Sequence, residues 1–377
     1  MAHYDVIVVG VGGMGSATAY HLARRGARVL GLERYDIPHA MGSSHGVNRI
    51  IRMAYFEDPS YVPLLSRSYE LWRHLEEVSG ERLLVITGGI DAAPKDHRVF
   101  IGSLESCRRH GLDHEVLDAG EVGRRFPGYR LPEAHMAVFQ PDGGYVMSER
   151  CIVAHVDAAL AHGAEVHGRE QVVGWEPLGD GVRVTTDRGE YTADRMVVTA
   201  GAWTMGLVDP LVGLATPERQ VLGWFQPKRP ELFSPERFPI FNLEVDEGHF
   251  YGFPVETIPG FKIGLYHHLE EDVDPDTMDR EPNAADEAAL RVAVDRYFPD
   301  ASGPVLTLKT CLFTNSPDEH FILDTHPERS QVVIGAGFSG HGFKFSAVVG
   351  EILADLALEG TTTHDISILR MGRFQAS

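Results

Sequence analysis

One stretch near the start constrains this chain more than any other: "YDVIVVGVGGMGSATAYHLARRGARVLGLER", residues 4–34. Residues 4–9 are a continuous apolar, β-branched run, the pattern of a parallel strand covered on both faces. Gly10, Gly12 and Gly15 then supply a G-x-G-x-x-G spacing, with Gly13 and Met14 inside it. A helical segment follows through Arg25, and Gly26 stands where a helix C-cap belongs. Residues 29–32 read as a second strand ending at Glu33 and Arg34. Each part has a physical reason. Glycines let backbone amides approach a pyrophosphate, the helix N-terminus faces its charge, and the carboxylate takes the ribose hydroxyls. A lone glycine pattern is weak, but strand, turn, helix and acid together read as a dinucleotide site.

The rest of the chain decides which dinucleotide. A nicotinamide enzyme would continue with strand–helix repeats to complete its sheet. Here a loop follows instead, "YDIPHAMGSSHGVNRIIR" (35–52), carrying Gly42, Ser43, His45, Arg49 and Arg52. A helix-period segment spans about 60–79. Residues 171–203 read as a β-meander beginning near Val172 and returning to a buried strand before Gly201 and Trp203. Residues 331–358 give another buried strand, a loop with Gly340, Gly342 and Phe343, and a helix. This arrangement suits FAD, with the late helix N-terminus stabilising negative charge on the reduced ring.

A length of 377 residues allows two domains. The fold class expected is α/β (α+β). A Rossmann-like FAD-binding domain comes from residues 1–85, 148–215 and 317–377, with the helix after 147 capped by Ser148. Residues 86–147 and 216–316 alternate strand-like runs with turns, and read as one discontinuous, mostly antiparallel substrate domain. Lys+Arg 34 against Asp+Glu 54 gives a formal charge of −20, which argues against a nucleic-acid partner. Cys107, Cys151 and Cys311 are odd in number and far apart, so no disulfide framework is expected. No cysteine/histidine cluster has metal-ligand spacing. No leader, membrane span or peroxisomal address is read, the terminal "QAS" included, and a cytoplasmic protein is expected.

The segments "GSSHGVNRIIR" (42–52), "PDEHFILDTHP" (317–327) and "GFSGHGFKFS" (337–346), with Cys311 in "KTCLFTNSPDEH", carry a resemblance. From end to end the chain resembles the monomeric sarcosine oxidase family, which includes N-methyl-tryptophan and pipecolate oxidases. The resemblance implies FAD attached covalently through an 8α-S-cysteinyl bond at Cys311, which needs a thiol near positive charge. It implies oxidation of an N-methyl amino acid, with dioxygen reduced to hydrogen peroxide, by a monomer. Sarcosine is the first choice of substrate, with N-methyl-tryptophan or a cyclic imino acid the alternative. Arg52 and Lys344 match the family's carboxylate-binding residues, and Thr314 is expected at the substrate site. Lys262 in "GFKIG" matches the lysine beside which dioxygen reacts, and Tyr251 in "FYGFP" a pocket tyrosine. His45 and Arg49 match residues that contact the ring.

One departure stands out. Family members commonly read lysine, two residues, then "YH", whereas this chain reads "KIGLYHH" with one residue more. His267 is the expected pocket residue and Tyr266 its rival, because a one-residue slip turns a strand side chain to the other face. Two other classes compete with an amine oxidase. They are a nicotinamide-dependent dehydrogenase, opposed by the missing repeats and by Cys311, and a non-catalytic flavin-binding subunit, opposed by the retained cations.

Overall fold

The computed structural model describes residues 2–374, so the terminal "QAS" read above lies outside the described residues. Two eight-stranded sheets and a small three-stranded one organise them. In the first large sheet, strand His3–Val9 pairs in parallel with Val29–Leu32 on one side and Glu190–Val198 on the other. Glu165–His167 and Arg329–Ala336 extend the parallel array at its two ends. The N-terminal run is β-branched because both its faces are covered. Val6 and Val8 enter one core with helices Gly13–Arg24, Ser148–Ala161 and Ser346–Glu359. Ile7 and Val9 enter another, under the meander Val172–Leu178, Gly181–Thr186 and Glu190–Val198. The glycine turn is sterically compelled. Gly10 has φ +87°, and a Cβ on Gly15 would lie 1.8 Å from the Gly10 carbonyl oxygen.

The second large sheet runs in the order Val305–Asn315, Thr216–Phe225, Phe261–Leu265, Gly248–Phe253, Ile240–Val245, Gly89–Pro94, His135–Gln140, Glu115–Asp118. Its pairings are antiparallel except where Ile240–Val245 meets Gly89–Pro94. Strand alternation divides the labour between its faces. Phe241, Phe250, Phe261 and Ile263 point into an apolar core with Phe233, Phe238, Phe298 and Leu290. Asp91, Asn242, Tyr251, Gly264 and Lys262 fall on the alternate positions, the face from which Lys262 reaches Gly46 and Asn48. The small sheet, Arg49–Ile51, Gly144–Val146 and Leu84–Ile86, lies where residues of both regions meet.

Two expectations need correction. Ser148 is the first residue of its helix rather than the cap, which is Met147; the Ser148 hydroxyl bonds Glu149 instead. The second region also holds helices: Arg98–His110, in keeping with a helix-like segment around Cys107, and Ala119–Arg125 and Ala284–Tyr297, which alternating turns and strands did not anticipate. The last was legible. Asn283 and Asp286 form a capping box, satisfying the helix's free amides reciprocally.

Candidate active site

A cleft of about 390 Å³ runs along the ends of the parallel strands. Its walls include Gly10, Gly12, Gly13 and Met14 from the first turn and Glu33 and Arg34 from the second strand end. Gly42, Ser43 and Arg49 come from the following loop, and Val172, Gly201 and Trp203 from the meander side. Gly340, Gly342 and Phe343 close the far end. Gly15 is not in the wall; it lets the helix sit against the strand.

The donor set fits an elongated dinucleotide. The N-cap residue Gly12 offers no capping side chain, and Ser44 Oγ takes only the Gly13 amide, at 3.3 Å, so the rest of this helix's amide end is left to an anion. Glu33 is held by the Val11 amide at 2.9 Å and the Tyr35 amide at 3.0 Å. That fixes a carboxylate where a ribose would sit. Among the buried groups without partners in the described residues are both ring nitrogens of His45, in the 42–52 loop, and Oγ1 of Thr314, which borders the cleft. A bound FAD is the kind of ligand such a surface fits. Thr314 was expected at the substrate site, but alternation along Val305–Asn315 turns Phe313 into the smaller cavity and leaves Thr314 on the long cleft.

Where the second sheet meets the 42–52 loop, cations gather around one sulfur. Arg49 Nη2 lies 3.5 Å from Cys311 Sγ, and the sulfur sits 3.6 Å from the Ser43 carbonyl oxygen. Burial, then the charge of Arg49, pulls the His45 imidazole down to about 3, so it is neutral. Lys262 lies beneath the 42–48 loop and donates to Gly46 O at 2.8 Å, Asn48 O at 2.7 Å and Asn48 Oδ1 at 2.8 Å. Burial pulls its pKa well down. Three acceptors nevertheless require three N–H groups, which only the ammonium form has, and Phe253 and Trp224 offer their ring faces at 4.1 and 5.5 Å. Lys262 keeps its charge.

A second, small cavity of about 50 Å³ adjoins this junction. Arg52, Glu57, Asn242, Tyr251, Tyr266 and Lys344 are in its wall, with Cys311 and Phe343. Arg52 grips Glu57 with two bonds of 2.7 Å. Burial alone would push Glu57 up, but the guanidinium overrides it and holds the carboxyl at about 2. Lys344 donates to the His341 carbonyl oxygen at 2.8 Å. Burial, then the neighbouring Arg52, draws it down to about 7. Glu57 was not foreseen; in sequence it is one acid among many, five residues beyond Arg52.

His267 is not a pocket residue. The backbone turns left-handed at His267 (φ +54°) just after strand Phe261–Leu265, and its ring leaves the cavity. It bonds Glu218 at 2.8 Å and Glu319 at 3.1 Å instead. These two hydrogen bonds raise it to about 10, so it is a charged clamp between strand Thr216–Phe225 and the loop at Glu319. Tyr266 takes the cavity position, its hydroxyl donating to Ser339 O at 3.1 Å. The extra residue is absorbed at the strand end, which is why counting from Lys262 alone left both choices open.

Comparison with known proteins places this geometry. A family described as FAD dependent oxidoreductase matches residues 5–356. The chain is 45% identical to the monomeric sarcosine oxidase of Streptomyces avermitilis, over 99% of this chain and 98% of that protein. It is 35% identical to the N-methyl-L-tryptophan oxidase of Salmonella dublin, over 98% and 99%. Among solved structures, NikD, an unusual amino acid oxidase essential for nikkomycin biosynthesis, superposes with a TM-score of 0.85 at 29% identity, covering 98% of both chains. No helix of the described residues is long and apolar enough to cross a membrane. The glycine turn, the sulfur among cations and the carboxylate-gripping cavity thus sit in a chain that belongs to the FAD dependent oxidoreductases and, among them, to the sarcosine oxidase-type flavin amine oxidases.

Proposed function

We infer that the chain oxidises small N-methyl amino acids, with sarcosine the reference substrate, and carries its FAD covalently on Cys311. The products are the demethylated amino acid, formaldehyde and hydrogen peroxide. The observation carrying the choice of substrate is the cavity itself. Small and walled by Tyr251, Tyr266 and Phe313, it favours a small amino acid over an indole. A cation beside the one sulfur in that wall supports the attachment. Residues 1–85, 148–215 and 317–377 are read as the FAD-binding unit, and 86–147 with 216–316 as the substrate unit; membership of the two large sheets supports this. The name of the Streptomyces relative supports a monomer, and three free cysteines support a cytoplasmic one.

When bound, FAD supplies the two-electron acceptor and the route of those electrons to dioxygen. The residues do the rest. Lys344 and Arg52 offer positive charge to the substrate carboxylate, and Glu57 must yield its place on Arg52 as that carboxylate arrives. Tyr251 and Tyr266 exclude water from the amine. Lys262 holds a fixed positive charge by which negative charge developing on dioxygen is stabilised. Peroxide release from sarcosine, N-methyl-L-tryptophan and L-pipecolate decides the reading. Sarcosine should be oxidised well and N-methyl-L-tryptophan poorly. The reverse order, or no peroxide from any of them, would overturn it.

A further inference from the structure

Four residues stand side by side across four neighbouring strands: Asp91, Asn242, Tyr251 and Gly264. Direct cross-strand neighbours share a face, so these side chains form one row on the face that meets the cavity. Asp91 is 3% exposed, and none of the chemistry above uses it. Its Oδ2 accepts from Ser103 Oγ at 2.7 Å and its Oδ1 from Asn242 Nδ2 at 2.7 Å, with Arg52 Nη1 3.8 Å away. A carboxylate flanked by a cation and a hydroxyl donor only accepts. The Asn242 amide must therefore turn its nitrogen toward Asp91, leaving its oxygen on the other side. Asn242 is in the cavity wall, and among the described residues nothing donates to that oxygen. Much of the wall around it is apolar or aromatic, with Ile50, Phe253, Phe313 and Phe343. An acceptor fixed in such a wall is costly to leave unpaired.

Its place along the sheet indicates which part of a substrate it meets. Arg52 is next to Asp91. Through Asp91 the acceptor is therefore tied to the carboxylate-binding cation Arg52, and the α-carbon bearing that carboxylate, with its substituent, lies beside it.

We propose that Asn242, oriented by Asp91, determines specificity by accepting a hydrogen bond from a donor on the substrate's side chain, so that the enzyme selects small polar N-methyl amino acids over their apolar isosteres. This rests on the amine-oxidase reading above. Asn242 touches the substrate; Asp91 is a positioning residue that acts through it. An apolar isostere buries the amide oxygen without a partner, and it is this loss that discriminates.

The test uses the holoenzyme and a matched pair, N-methyl-L-serine and N-methyl-L-2-aminobutyrate, which differ by a hydroxyl in place of a methyl. The wild type should favour the serine derivative by about ten- to a hundredfold in kcat/KM. Asn242→Leu should reverse the preference. Asp91→Asn keeps the volume but lets the Asn242 amide turn over, and should flatten the ratio even if both KM values change. Equal kcat/KM for the pair in the wild type would overturn the proposal while leaving the amine oxidase intact, as would rejection of both with sarcosine still oxidised. An equal loss for every substrate in Asn242→Leu would mean that the amide meets the shared amine, and would overturn it too. No peroxide from sarcosine or either partner would instead sink the underlying reading, and this proposal with it.

Discussion

The two large sheets carry their chemistry in different ways. The parallel sheet carries it at its edge: Gly10, Glu33, Gly201 and Gly337 each follow the end of a parallel strand or lie within a few residues of it. Backbone amides and one carboxylate line the cleft there, and each turn is contiguous in the chain. The antiparallel sheet carries its chemistry on a face. Asp91, Asn242, Tyr251, Lys262 and Cys311 come from five strands and act through their side chains. A site at strand ends can be spelled by a short motif. A site on a sheet face exists only once the strands are in register, so it tolerates change at one strand without disturbing the cofactor cleft. Mutations on the face should therefore alter chemistry while leaving FAD bound.

Cys311→Ser is the sharpest break of that comparison. Covalent flavin should vanish altogether while FAD still occupies the cleft, read as yellow colour lost from the polypeptide on acid denaturation. Colour retained after denaturation would mean attachment elsewhere. Next comes Lys262→Met, which deletes a charge held by three acceptors. Reaction of the reduced holoenzyme with dioxygen should slow by roughly two to three decades, since such electrostatic groups contribute about 2.7–4 kcal/mol. Anaerobic reduction by substrate should change far less, and stopped-flow traces of the two half-reactions separate them. Truncating Lys344 to Met should weaken a carboxylate inhibitor by about 2–5 kcal/mol.

The same lysine gives a pH dependence. Its folded pKa is lowered to about 7, so the ligand-free site holds its ammonium below that pH and loses it above. Inhibitor affinity should fall by up to about tenfold per unit as pH rises beyond 7, because the carboxylate binds the charged form. In Lys344→Met this dependence should disappear. The smallest effect concerns the clamp. His267 is raised to about 10, so its contribution is fully present below the unfolded value near 6.5 and is lost as pH rises through 10. The ring is partly exposed, so after solvent screening the difference is on the order of 1 kcal/mol, or about 2–4 °C in melting temperature. The gap between wild type and His267→Gln should be open at pH 6 and closed by pH 10; a gap unchanged over that range would deny the clamp its charge.

The sequence by itself determined the glycine turn, Glu33 and the late strand–loop–helix at 331–358. Each is set by neighbours close in the chain: a β-branched run covered on both faces, a turn that only Gly10 and Gly15 can make, a carboxylate one residue beyond a strand. The tertiary structure alone decided how the substrate cavity is completed around Arg52, Lys344 and Tyr251. Nothing near Arg52 in sequence says that Glu57 will occupy it, and nothing near Asn242 says that Asp91, on a strand 151 residues earlier, will turn its amide. Tyr266 and His267 exchanged places for the same reason. Which of two adjacent side chains faces a cavity depends on where the strand ends and the backbone turns left-handed, and that is fixed by the paired strands and by Glu218 and Glu319 drawing His267 outward.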